Sequence, residues 1–223
     1  MRVDKTLTKH QFCMDTLVKI CGITSEEDAR AVAEAGADAV GLMFYEPSPR
    51  FVSRETAKTI VEALPASMVK VGVFVDASPT FVHETIAECG VTVAQFHGDE
   101  TPEYCSQFPV RVWKAFRVRD EDSLRELPKY WTDAWLLDSY VKGQPGGTGE
   151  RFNWDLAVMA KEHGVRIVLA GGLTAGNVAD AVRQVSPFGV DVSSGVESTP
   201  GKKDPGRMRE FVAAARAAVP RAE

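Results

Sequence analysis

The chain has 223 residues, of which 44% are hydrophobic and 26% charged, with a formal net charge of -5. That length supports one sizeable core at the upper end of the single-domain range, where α/β barrels fall, and the mild acidity gives no electrostatic case for nucleic acid or an anionic membrane as partner. No apolar run approaches the roughly eighteen residues of a membrane helix, and the polar start M-R-V-D-K-T-L-T-K-H-Q lacks a signal-peptide core, so a cytoplasmic protein is expected.

Residues 1–16 are polar and read as a flexible N-terminal extension, with 17–223 as a single domain. From Leu17 onward, short runs rich in Val, Ile and Leu alternate with longer segments of helical period. The first run is 17–21 (L-V-K-I-C), with Ser25 opening the helix behind it. Then come 39–44 with Ser53, 69–75 with Ser78, 92–96 with Thr101, and 110–115 with Asp120. The last three are 134–138 with Asn153, 166–170 with Thr174, and 189–193 with Asp204. Each of these Ser, Thr, Asn and Asp residues suits an N-cap. Pro79, Pro102 and Pro205 each follow a cap, where a missing N–H costs nothing because the first helical turn has no partner for it.

Eight such units with near-continuous apolar strands describe a parallel sheet covered on both faces, either closed or open. Count and length favour closure, and no G-x-G-x-x-G follows the first strand to mark a dinucleotide-binding open sheet. The expected fold is α/β, a single (β/α)8 TIM barrel.

In such a barrel the chemistry belongs at the C-terminal ends of the strands and in the loops after them. Cys21 ends the first strand and shares a face with Lys19. It is either a small buried hydrophobe or a thiolate with a lowered pKa, and Lys19 is one source of such lowering. Arg50 follows the second strand in the proline-stiffened E-P-S-P-R-F-V-S, where a guanidinium either captures a carboxylate in a fork or lies solvated on the surface. Gln95 and His97 share a face at the end of the fourth strand, lining the mouth or satisfying each other. Asp138 ends A-W-L-L-D ahead of a glycine-rich loop; it is a cap, a salt-bridge partner, or a catalytic carboxylate under a segment able to close over it. The turn G-G-L-T-A-G-N at 171–177 and S-S-G-V-E at 193–197 follow the last two strands, and together they favour phosphate over simple tight turns. Asp191, on the last strand, draws no catalytic assignment. Cys13, Cys21, Cys89 and Cys105 show no C-x-x-C spacing and read as free thiols, and His10, His83, His97 and His163 form no H-x-x-x-H pair, so no metal site is expected.

Taken together, K-I-C-G-I-T, A-D-A-V-G-L-M-F, S-P-R-F-V-S, V-G-V-F-V, A-Q-F-H-G, L-L-D, A-G-G-L-T-A-G-N-V and V-D-V-S-S-G-V-E-S-T-P-G-K-K-D occur in this order and resemble the phosphoribosylanthranilate isomerase family of tryptophan biosynthesis. The likeness runs from about Leu17 nearly to the end, and the last motif is the most specific. It implies an Amadori rearrangement of a small-molecule phosphosugar, N-(5'-phosphoribosyl)anthranilate, without a cofactor. It further implies Asp138 as general acid, Cys21 as general base, Arg50 on the anthranilate carboxylate, and Gly172, Leu173, Ser194 and Gly195 at the phosphate. An unperturbed thiol is only a few per cent ionised at neutral pH, and Asp138 must hold a proton that an ordinary carboxyl loses. The expected assembly is a monomer or weak homodimer. Two other readings are the histidine-pathway aminoaldose isomerase, which typically pairs two Asp residues where this chain has Cys21, and a phospholigand-binding barrel without turnover.

Overall fold

A computed structural model describes residues 16–139 and 153–218, with Ser139 as backbone only. The N-terminal extension expected over 1–16 lies outside the described residues except for Thr16, as does most of the glycine-rich loop after Asp138. The strands are β1 (Leu17–Cys21), β2 (Ala39–Met43), β3 (Val69–Phe74), β4 (Val93–Phe96), β5 (Arg111–Val118), β6 (Ala134–Ser139), β7 (Arg166–Leu169) and β8 (Gly189–Val192). All neighbours pair in parallel, and β8 returns to β1 through the register Leu17–Gly189 to Ile20–Val192, which closes the barrel.

The helices are α1 (Glu26–Glu34), α2 (Arg54–Glu62), α3 (Pro79–Cys89), α4 (Pro102–Cys105), α5 (Trp154–Lys161), α6 (Val178–Val185) and α7 (Pro205–Ala217). Seven of the eight expected caps accept from the first turn as read: Ser25 from Asp28, Ser53 from Thr56, Ser78 from Phe81, Thr101 from Tyr104, Asp120 from Ser123, Asn153 from Asp155 and Asp204 from Arg207. Thr174 does not cap. Instead Asn177 accepts from its backbone N–H at 2.8 Å and donates to the Gly172 carbonyl at 2.9 Å, so α6 starts only after Asn177.

The fifth unit has no α-helix after its strand. Two 3-10 turns, Glu121–Leu124 and Leu127–Lys129, take its place. Pro128 lacks the N–H that a continuing α-helix would use to bond the preceding turn. A two-strand hairpin, β9 (Glu197–Thr199) with β10 (Lys202–Lys203), is inserted between β8 and α7, a feature the periodicity does not announce.

Strand alternation divides the apolar residues between two cores. Val18, Ile20, Val40, Leu42, Phe74, Phe96, Trp135, Leu137, Ile167 and Val190 face the helices. Ala39, Val71, Val73, Val93, Trp113, Ala115, Leu136 and Val168 fill the barrel together with Cys21. With small residues on β2 and large ones such as Trp113 on β5, the interior is packed up to the level where polar side chains begin, and the site sits on this floor.

Candidate active site

The parity that fills the barrel also decides what stands at its mouth. Continuing the inward series past the packed layer gives Cys21 on β1, Met43 on β2, Gln95 on β4, Arg117 on β5, Asp138 on β6 and Asp191 on β8, all of which line one cavity of about 350 Å³. Its rim carries Arg50, His97 and the turns after β7 and β8. The size suits a small organic ligand. All seven residues singled out for the site, Cys21, Arg50, Asp138, Gly172, Leu173, Ser194 and Gly195, border this cavity, although they span 174 positions of chain from the first to the last. A second depression, of about 550 Å³, lies outside the barrel between Phe44, Phe51, Arg54 and Phe81, and holds none of these groups.

Cys21 is buried in the cavity wall, 7% exposed. Burial pushes its thiol above the ordinary range, and the charge of Lys19 is the largest influence in the other direction. Lys19 is wholly buried and donates to Asp191 Oδ1 at 2.8 Å. Burial acts to lower its pKa, but the Asp191 carboxylate and, after it, the Cys21 sulfur act together to raise it and prevail, so the lysine is held as an ammonium.

Asp138 stands across the cavity on β6, with His97 Nε2 3.6 Å from its Oδ2. The other ring nitrogen, Nδ1, is 3.3 Å from Gln95 Nε2. Gln95 and His97 therefore both line the mouth and satisfy each other. Gln95 Oε1 is a buried acceptor with no partner among the described residues.

Arg50 is tied down more firmly than a loop residue need be. Its Nε and Nη2 donate to Glu197 Oε1 and Oε2, each at 2.7 Å. Glu197 is itself buried, which pushes its carboxyl up, but hydrogen bonds from Arg50 and Lys203 prevail and hold it below the ordinary carboxylate range. Lys203 Nζ reaches Glu197 Oε1 at 2.7 Å. The hairpin β9–β10 thus exists at the site as a bracket for the guanidinium. Sequence reasoning misses Glu197 and Lys203, because 147 positions separate Glu197 from Arg50 and no spacing rule links them.

The two glycine turns lock together. Gly172 has φ +66°, a left-handed angle that favours glycine. A Cβ on Gly195 would collide with the Leu173 carbonyl oxygen, so the close approach of the two turns depends on that missing side chain. Neither G-G-L-T-A-G-N nor S-S-G-V-E contains a lysine or arginine, so an anion held there depends on backbone amides.

Residues 18–214 match the family model for N-(5'phosphoribosyl)anthranilate (PRA) isomerase. The N-(5'-phosphoribosyl)anthranilate isomerase of Geobacter sp. (strain M21) is 54% identical over 201 residues, covering 90% of this chain and 98% of the relative. The crystal structure of phosphoribosyl anthranilate isomerase from Thermotoga maritima superposes with a TM-score of 0.86 at 38% identity, over 91% of this chain and 99% of the other. A phosphoribosyl anthranilate isomerase in complex with reduced 1-(o-carboxyphenylamino)-1-deoxyribulose 5-phosphate is likewise similar, with a TM-score of 0.83, 38% identity and the same coverage.

Proposed function

The chain belongs to the N-(5'-phosphoribosyl)anthranilate isomerase family, and we propose that it carries out the family's Amadori rearrangement with Asp138 as general acid and Cys21 as general base. The reaction turns N-(5'-phosphoribosyl)anthranilate, an aminoaldose, into 1-(2-carboxyphenylamino)-1-deoxyribulose 5-phosphate, an aminoketose. The observation that carries the assignment is the placement of a thiol ending β1 and a carboxyl ending β6 in the wall of one cavity, between a guanidinium and two glycine turns.

Asp138 gives its proton to the furanose ring oxygen. The C1'–O4' bond breaks as the amine lone pair forms C1'=N, and the ring oxygen leaves as the 4'-hydroxyl. The resulting iminium draws electrons from C2', so its proton is acidic enough for a modest base. Cys21, as thiolate, takes that proton. The C–H electron pair becomes the C1'=C2' bond, and the iminium is neutralised to an enolamine. Protonation at C1' with loss of the 2'-hydroxyl proton then leaves the ketone. Each step is a proton transfer or a bond shift within one substrate, so the chemistry calls for neither a metal nor an organic cofactor.

Binding follows the same geometry. Glu197 occupies the Nε/Nη2 edge of Arg50, which leaves the Nη1 end of the fork for the anthranilate carboxylate. The amides of Gly172, Leu173, Ser194 and Gly195 take the phosphate. One barrel mouth supplies every named group, so a monomer or weak homodimer suffices. Among the described residues no helix is long and apolar enough to cross a membrane, which accords with work in the cytoplasm.

The test is turnover of the two pathway aminoaldoses by the purified protein, with the products separated by chromatography. Conversion of the anthranilate substrate is expected. Activity confined to the histidine-pathway aminoaldose, or tight phosphate-ester binding with no turnover of either, would overturn the reading.

A further inference from the structure

We propose that Lys19 is the positioning residue for Cys21: its ammonium, pinned against Asp191 beneath the sulfur, keeps the thiol able to exist as a thiolate inside a buried wall. This rests on Cys21 being the base, and it adds what makes the thiol fit for that task.

Three strands build the arrangement. Lys19 and Cys21 share the inward face of β1, and β8 sets Asp191 opposite Lys19 in register. On the other side, β2 sets Gly41 opposite Cys21. A Cβ on Gly41 would lie 2.5 Å from Cys21 Sγ and 3.1 Å from Lys19 Nζ. The sulfur and the ammonium therefore converge on the space that any other residue's side chain would fill. A wholly buried lysine is expensive, and an apolar residue would fill the same layer at less cost, so packing alone does not account for it.

The charged groups around Cys21 come from several elements: Lys19 on β1, Asp191 on β8, Lys203 on β10 and Arg50 on the loop after β2. Asp138 and His97 line the same cavity from β6 and the end of β4. Among these, Lys19 and Asp191 act on the sulfur in opposite senses. The ammonium favours the thiolate and the carboxylate opposes it.

The experiment follows iodoacetamide alkylation of Cys21 in the whole, substrate-free protein across pH, with the Cys21 peptide quantified by mass spectrometry. Lys19→Met is expected to move the alkylation midpoint up by about one pH unit or more, which slows alkylation near neutral pH roughly tenfold. Lys19→Met with Asp191→Asn leaves no unpaired buried charge, guards against misfolding, and should also move the midpoint up. Turnover by the Lys19 variants should lose kcat with KM within about twofold. An unchanged midpoint in both Lys19 variants overturns the proposal. The alkylation readout needs no substrate, so it stands apart from the base assignment, which fails separately if Cys21→Ser turns over at the wild-type rate.

Discussion

Arg50 and Glu197 meet through two parallel hydrogen bonds of 2.7 Å, joining the loop after β2 to the hairpin after β8. Only 21% of the arginine side chain and 4% of the glutamate side chain remain exposed. A guanidinium held along one edge is aimed along the other before any ligand arrives, so less ordering entropy is lost on binding.

Arg50→Met should therefore raise KM for the anthranilate substrate by roughly ten- to a hundredfold, the size of a lost charge-assisted pair. Glu197→Gln keeps the cation but loosens its aim, and a smaller rise, about severalfold, is expected. Steady-state kinetics of both variants check this. Equal KM values for wild type and Arg50→Met would remove the arginine from the binding site.

Cys21→Ser and Asp138→Asn should each lower kcat by about two to four orders of magnitude, with KM little changed and thermal unfolding close to wild type, because both substitutions keep size and hydrogen bonding. Near-normal kcat in either variant would refute the role given to that residue.

The pH profile follows from the thiol. A base acts only when deprotonated, and burial places the Cys21 thiol above its ordinary range. The limb of kcat/KM governed by Cys21 should thus ascend with pH, and the Lys19→Met enzyme should show it displaced to higher pH. A profile with no ascending limb would assign proton abstraction elsewhere.

Gly195→Ala would thrust a methyl group into the Leu173 carbonyl and pry the two glycine turns apart. Inhibition by inorganic phosphate or ribose 5-phosphate should weaken about tenfold or more, as expected when amides no longer converge on one anion. Isothermal titration with ribose 5-phosphate measures it; unaltered affinity would place the phosphate elsewhere.

Acid stability carries a separate signature. The Glu197 carboxyl is held below its ordinary value of 4.5, so the protons bound by the unfolded chain exceed those bound by the native one as the pH falls. The stability this residue contributes is present above pH 4.5 and is lost as the pH drops through its native value. The slope of Tm against pH below 4.5 should accordingly be shallower in Glu197→Gln than in wild type.

Much of this architecture is local, and the chain declares it. Short, near-continuous apolar runs, seven of the eight caps and the prolines behind them place every barrel strand to within a few residues, because each signal reports hydrogen bonds and burial within a dozen positions. The same parity puts Cys21 at the end of β1 and Asp138 at the end of β6, and the two glycine turns after β7 and β8 are legible as turns that border the same cavity. Where local signals compete, the chain misleads: Asn177 displaces Thr174 at the head of α6 by holding Gly172, and Pro128 turns the helix expected after β5 into two 3-10 turns. What folding alone settles is which distant charges come to face each other. Lys19 finds Asp191 across 172 positions, and Arg50 finds Glu197 across 147. Barrel closure creates the first contact by setting β8 beside β1, and the β9–β10 hairpin creates the second. Electrostatic partners are chosen by distance in space and by exclusion of water, and neither quantity is written in the spacing of residues along the chain.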